Sequence, residues 1–229
     1  MRVDEPHAWN ISVDQAREIQ KNLAQRIRIR KIPRRLKTVA GCDVAYNKDL
    51  QRLIAGMVVL RFPDLTIIEE IIVYEPITFP YVPGYLSFRE APAILNLIKS
   101  YQKHVDVFIF DGHGIAHPRG LGIAAHIGVL IDKPSIGCAK KKLIGAFELP
   151  GELKGSQADL THQGHIIGRV LRSKDRVKPI FISVGHAVNL NDSVGFILSC
   201  CTKYRLPEPT RLADIAVARA KKKVERIQA

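Results

Sequence analysis

The sequence predicts an α/β fold in which a mixed central sheet is flanked by helices. Three observations lead there. Residues 107–110 (Val107, Phe108, Ile109, Phe110) form an apolar run without polar alternation, the mark of a strand buried on both faces of a mainly parallel sheet. Residues 38–46, 53–62 and 66–74 are strand-like, and the connections 47–52 and 63–64 are short and turn-rich, so successive hairpins are expected ahead of that strand. Amphipathic stretches with helical spacing surround these runs.

The chain has 229 residues, 46% hydrophobic and 25% charged, which fits a globular protein with a sizeable core. With no internal repeat or long linker, one domain over residues 1–229 is expected. No apolar run reaches the ~18 residues that span a bilayer. The N-terminus, with Asp4, Glu5 and His7, lacks the basic-then-apolar order of a signal peptide, so no membrane contact and a cytoplasmic location are expected. The formal net charge of +13 suits a polyanionic partner; the bland alternative is a surface that is merely basic and soluble. Cys42, Cys138, Cys200 and Cys201 have no zinc-like spacing and lie in apolar surroundings, so they read as reduced core residues.

In chain order, residues 11–32 read as a helix with Ser12 as N-cap and Ile19, Leu23 and Ile27 on its apolar stripe. Its far end is a basic cluster, Arg26 to Lys37, which reads first as a solvated helix face and second as a phosphate contact. After the three strands, residues 76–84 (P-I-T-F-P-Y-V-P-G) form a stiff proline-rich loop carrying Tyr81. Ser87 is the expected N-cap of the next helix, with Glu90 in its first turn. Beyond the 107–110 strand, a helix is expected over about 121–131 and a short buried strand over 134–139, ending at Lys140. Residues 149–164 read as a polar loop, 165–173 and 178–184 as a hairpin, 191–203 as a helix, and 211–227 as a final helix with Asp214 in its first turn.

Three antiparallel strands, a helix, a parallel strand, a helix and another parallel strand make the order of the ribonuclease H-like fold. That fold places acids on the first strand, the first helix and the end of the fourth strand. Asp43, Glu90 and Asp111 fall at those three places. Asp43 sits among small and apolar neighbours in a strand, where a charge is costly unless it is paired or bound to metal. Asp111 ends a buried strand and opens a Gly112-His113-Gly114 loop; alone, it is either an active-site acid or metal ligand, or a turn-starting residue. Converging carboxylates on a basic protein suit phosphodiester hydrolysis, in which hard divalent cations held by oxygen ligands activate water and neutralise phosphate. Lys140 suits a phosphate-orienting role, although on its own a lysine in a basic run reads as a surface residue. No dinucleotide fingerprint, Walker motif or nucleophile elbow is present. His113, His117 and His126 suggest a metal cluster, but His126 on an apolar helix reads better as a hydrogen-bonded core histidine.

The segments V-A-G-C-D-V-A-Y (39–46), P-Y-V-P-G-Y-L-S-F-R-E (80–90), D-G-H-G-I-A-H-P-R-G-L-G-I-A-A-H-I-G (111–128), I-G-C-A-K (136–140) and R-L-A-D (211–214) together resemble the endonuclease V (deoxyinosine 3′ endonuclease) family. The resemblance implies a ribonuclease H-like fold and Mg²⁺-dependent hydrolysis, with Mn²⁺ as a substitute. The bond cut would be the second phosphodiester 3′ to a deaminated purine, chiefly hypoxanthine, leaving 3′-hydroxyl and 5′-phosphate ends. It implies Asp43, Asp111 and Glu90 as metal-holding residues, and Lys140 and Asp214 as further catalytic positions. Pro80, Tyr81, Val82 and Pro83 match the family's wedge, with Tyr81 entering the space of the displaced base. Gly84, Leu86, Gly112 and Gly114 would line a pocket for that base, with His117 and Gly122 as further substrate-binding positions. DNA containing deaminated bases is the implied partner, inosine-containing RNA the alternative, and a monomer is expected. A non-catalytic nucleic-acid binder is the competing reading from another class.

Overall fold

The computed structural model describes residues 3–228. Its eight strands lie in a sheet of order β3-β2-β1-β4-β5-β8-β7-β6. β1 (Thr38–Asn47), β2 (Arg52–Arg61) and β3 (Ile67–Pro76) form the expected antiparallel meander. α2 (Leu86–Ser100) then carries the chain to β4 (Val107–Phe110), parallel to β1, and α3 (Ile123–Ile131) carries it to β5 (Ser135–Ala139), parallel to β4. β6 (Gln157–His162), β7 (His165–Leu171) and β8 (Ile180–His186) extend the sheet antiparallel beyond β5. α4 (Leu190–Cys200) and α5 (Glu208–Gln228) complete the chain after α1 (Val13–Ala24) at its start.

The side-chain alternation of β4 explains the layering. Phe108 and Phe110 join a core with Leu97, Ile98, Ile127 and Leu130 under α2 and α3. Val107 and Ile109 join the opposite core with Ile136, Ile197, Ala213 and Ala216 under α4 and α5. A strand covered on both faces has no use for polar alternation, which is why 107–110 is uniformly apolar. All four cysteines are buried and free. Among the described residues no helix is long and apolar enough to cross a membrane.

Several boundaries differ from the sequence expectation. The first helix ends at Ala24, well short of residue 32. Ser12 does cap it, accepting from the Gln15 backbone N–H while the Gln15 side chain accepts from the Ser12 backbone. From Arg26 onward the sequence R-I-R-I-R alternates with period two, β-branched at every second place, and Pro33 follows, so the helical stripe cannot continue. The segment 25–37 is instead a non-helical strap pinned through its backbone. The Arg28 carbonyl accepts from Ala187 N–H at 2.8 Å, and Ile32 N–H donates to Asp192 Oδ2 at 2.9 Å. Lys37 and Thr38 N–H donate to Asp106 Oδ2 at 2.8 and 2.9 Å.

Ser87 is not an N-cap. α2 starts a residue earlier behind Tyr85, and the buried Ser87 hydroxyl bonds His126 Nδ1 at 3.0 Å, so Glu90 lies past the first turn. Asp214 likewise lies in the second turn of α5, because the helix begins at Glu208 with Pro209 in its first turn, where the missing N–H costs nothing. The 149–164 loop contains strand β6, missed because an edge strand carries polar residues; of Q-A-D-L-T-H only Leu160 is buried. Gln163 and Gly164, at φ of 50° and 78°, turn it into β7.

The packing of α5 on β1 depends on a glycine. A Cβ on Gly41 would stand 2.0 Å from the carbonyl carbon of Pro209 and 2.5 Å from Thr210 N. Gly41→Ala is therefore expected to push the start of α5 off the sheet and cost about 3 kcal/mol, read as a lower midpoint in urea unfolding.

Candidate functional site

The parallel register of β1 and β4 assembles the acidic site. Cys42 stands opposite Phe110, and the next residues, Asp43 and Asp111, follow side by side; Asp111 N–H reaches the Cys42 carbonyl at 3.4 Å. Glu90 approaches from α2 and Asp214 from α5, so the set draws on both helical layers. Lys140, just past β5, extends its ammonium to 2.6 Å from Asp111 Oδ2 and 3.8 Å from Asp214 Oδ2. The residues that the sequence singled out as scattered acids and a basic-run lysine thus share one site.

The electrostatics show the cost of this assembly. Burial, then the charges of Asp111 and Asp214, push the Asp43 carboxyl up to about 7, against the opposing pull of Lys140. Burial, then Asp43, raise Glu90 to about 8, with Arg89 working the other way. For Lys140 burial opposes the charge, but the hydrogen bond and charge of Asp111, with Asp214 and Asp43, turn the net direction upward. Among the described residues no group of three or more His, Cys, Asp or Glu side chains forms a ready-made metal cage. The donor set nevertheless fits a hard divalent cation. It is all carboxylate oxygen, and its repulsion is only partly offset by one lysine. Mg²⁺ needs only one or two carboxylates alongside water and phosphate, not a closed cage.

The proline-rich loop leads into α2, ahead of Glu90. Phe79 and Val82 turn inward and pack with Tyr85 and Phe88. Tyr81 between them is 69% exposed, and Leu86 is exposed at the start of α2. Gly84 turns the loop at φ +79°, and its carbonyl accepts from three side chains: His117 Nε2 at 3.0 Å, Arg119 Nη2 at 2.7 Å and Gln20 Nε2 at 3.0 Å. Arg119 also donates to the Gln20 side chain and lies over the Tyr85 ring at 4.2 Å. His117 Nδ1 accepts from Arg119 N–H, so Nε2 carries its proton; burial, then the Arg119 charge, lower His117 to about 4 and keep the ring neutral.

Two glycines of the 111–122 stretch, Gly114 and Gly122, serve the protein's own backbone. A Cβ on Gly114 would stand 1.9 Å from the Val184 carbonyl oxygen, and one on Gly122 2.3 Å from the His113 oxygen. Gly114 and Gly122 are buried, whereas Gly112 is half-buried and a Cβ there meets only the Ile123 side chain. The close approach expected of a bound base at Gly114 is thus made by β8. The three histidines do not converge. His113 Nε2 holds the Lys141 carbonyl at 3.0 Å, while His126 is fully buried between Ser87 and His7, the core histidine expected.

Sequence reading passed over Gln20, Arg119 and Arg205. Arg205 Nη2 donates to the carbonyls of Lys140 at 2.9 Å and Pro179 at 2.7 Å, so with His113 it holds two successive carbonyls of the segment that carries Lys140. Gln20 is fully buried on α1. A polar residue at a core position of a helical stripe was the one signal for it; Arg119 and Arg205 lie in loops, where pattern carries no information.

This strand order, with acids on β1, on α2 and past β4, defines a ribonuclease H-like protein. The Endonuclease V family model matches residues 21–215. Endonuclease V of Roseiflexus sp. (strain RS-1) is 46% identical over 211 residues, 92% of this chain and 93% of its own length. The crystal structure of Endonuclease V from Streptomyces avermitilis superposes with a TM-score of 0.91 at 37% identity, covering 98% of this chain and all of its own. Endonuclease V of Ciona intestinalis, crystallised with a 24mer DNA containing an inosine followed by a ribo-adenosine, superposes at 0.80 with 30% identity, covering 93% of this chain and 98% of its own. The chain belongs to the Endonuclease V family.

The folded-state values of Asp43 and Glu90 lie above their ordinary 3.8 and 4.5, so up to about pH 8 these two groups hold more protons in the folded chain, whereas His117, His126 and His186, lowered from 6.5 to about 4, 3 and 4, hold more in the unfolded chain until about pH 6.5. Above that point the carboxyls decide the slope, and stability of the metal-free protein is expected to fall as pH rises from about 6.5 to 8. Denaturant midpoints across that range should show the decline, and Asp43→Asn should flatten it.

Proposed function

We propose that the protein is a Mg²⁺-dependent DNA repair endonuclease that recognises deaminated purines, chiefly hypoxanthine, and hydrolyses the second phosphodiester bond 3′ to the lesion. The observation that carries this reading is the convergence of Asp43, Asp111 and Glu90, self-repelling oxygen donors, beside the cation of Lys140. Asp43 and Asp111 are the residues to hold the metal, with Glu90 reaching it from α2. When bound, Mg²⁺ supplies a Lewis acid for the phosphate and lowers the pKa of water, chemistry for which Mn²⁺ substitutes.

The chain's own groups do the remainder. Lys140, its backbone held by Arg205, presents a positive charge to the scissile phosphate and answers the negative charge that develops there. Asp214 keeps Lys140 oriented from the α5 side. Tyr81 is an exposed aromatic ring on a loop stiffened by Pro80 and Pro83 and fixed at Gly84, so little entropy is lost when it stacks in the gap left by an extruded base. The base, cheapest to extrude where pairing is already poor, would be received by Gly84, Leu86 and Gly112, the positions that the family resemblance implies for its pocket. His117 acts through Gly84, whose carbonyl it holds. The products are a 3′-hydroxyl and a 5′-phosphate.

The test is cleavage of a labelled duplex with a single deoxyinosine, in Mg²⁺ and in EDTA. A metal-dependent nick one nucleotide beyond the lesion is expected. Asp111→Ala removes several kcal/mol of charge stabilisation, so nicking should drop at least about a hundredfold. A duplex bound but uncut, beside cleavage of inosine-containing RNA, would replace DNA by RNA in the reading; neither cut leaves a binding protein. In the same assay Tyr81→Ala should lose about tenfold in kcat/KM on the duplex while unfolding as the parent does.

A further inference from the structure

The strap at residues 25–37 is the most basic stretch of the chain and plays no part in the site above. Arg26 pairs with Asp4, and Arg28 with Asp132. The remaining five cations, Arg30, Lys31, Arg34, Arg35 and Lys37, are all exposed, and none has an ion-pair partner among the described residues. The reason lies in what the neighbouring acids do. Asp192 accepts from Ile32 N–H and from the Asn189 side chain. Asp106 accepts from the Lys37 and Thr38 backbones, the Thr38 hydroxyl and His104. Asp64 is paired with Arg61 and bonded to Thr66. The carboxylates around the strap thus hold its backbone in place or serve other residues, and the charged heads are left facing solvent. The field is felt nearby. His186 is lowered to about 4 by burial first and then by Arg28, Arg30 and Arg26.

The place of the strap decides what it can touch. Lys37 leads into Thr38, the first residue of β1, and its backbone is tied to Asp106, which precedes β4. Asp43 and Asp111 lie five residues further along those parallel strands, about 16 Å at the usual strand rise. The strap therefore covers the amino end of the sheet, and the carboxylates stand at the other. The strap and the carboxylates thus stand at opposite ends of the same two strands.

We propose that Arg30, Lys31, Arg34, Arg35 and Lys37 form a second phosphate-backbone contact, which holds a segment of nucleic acid separate from the one at the carboxylates. Exposed cations on an anchored strap meet phosphates and read no sequence, so the contact is independent of the lesion. It would keep the enzyme on nucleic acid while the catalytic end is free to sample another segment. The inference rests on the reading of the protein as a nucleic-acid enzyme.

The test is a bridging assay in EDTA. A deoxyinosine duplex on beads captures the protein, the beads are washed, and a labelled undamaged duplex is added. The parent is expected to retain the labelled duplex. The quadruple variant Arg30→Gln, Lys31→Gln, Arg34→Gln, Arg35→Gln should bind the bead duplex as before and lose retention at least about tenfold. Its salt slope for undamaged duplex should be shallower by about two to four, at roughly 0.9 for each phosphate that no longer meets a cation. The double variants Arg30→Gln, Lys31→Gln and Arg34→Gln, Arg35→Gln give the intermediate readings if the quadruple one is unstable. Bridging that survives neutralisation would overturn the proposal and point to two catalytic ends in one assembly. Loss of bead-duplex binding would overturn it by placing the strap on the same duplex as the carboxylates. Failure to bind or nick the deoxyinosine duplex at all strikes the enzymatic reading, and the salt slope on undamaged duplex still reports on the strap.

Discussion

The structure turns on carboxylates that repel one another. Asp43 and Asp111 emerge from adjacent parallel strands one residue past the pair Cys42 and Phe110, and that register forces them together. Burial and mutual charge raise Asp43 and Glu90 far above the ordinary carboxyl range. A fold that tolerates this must compensate for it elsewhere. Uniformly apolar strands such as β4, packed between two helical layers, supply that stability, and Lys140 offsets part of the repulsion on the spot.

Close packing translates the sheet into the site. α5 brings Asp214 to the site because Gly41 lets the Pro209 backbone settle directly on β1, and the loop after β4 closes because Gly114 and Gly122 admit other backbone where a side chain would stand. These glycines act at one remove from chemistry, setting how near the elements come. Side chains of the acidic site then need only ordinary geometry.

Polar clamps do the same for the loops. One carbonyl, that of Gly84, accepts from His117, Arg119 and Gln20, which joins α1, the 111–122 stretch and the loop of Tyr81. Arg205 and His113 hold the carbonyls of Lys140 and Lys141. The exposed aromatic ring of Tyr81 and the Lys140 side chain are both carried on segments whose backbone is fixed by side chains distant in sequence, the arrangement that a preorganised site requires.

The sequence by itself determined the succession of strands and helices from β1 to β5, the burial of β4, the capping of α1 by Ser12 and the candidacy of Asp43, Glu90 and Asp111. These follow from local periodicity and from the cost of a charge in an apolar strand, both of which are written in consecutive residues. Tertiary structure alone decided the rest. It brought Lys140 to Asp111, assigned His126 to the core with Ser87 and His7, made β6 a strand despite its polar composition, and recruited Gln20, Arg119 and Arg205. It also anchored 25–32, expected as the end of the first helix, as part of a strap bonded to Ala187 and Asp192. Apart from β6, whose ladder partner is the adjoining β7, the deciding partner lies far away in the chain, and a hydrogen bond or ion pair with such a partner leaves no pattern in the residues around it.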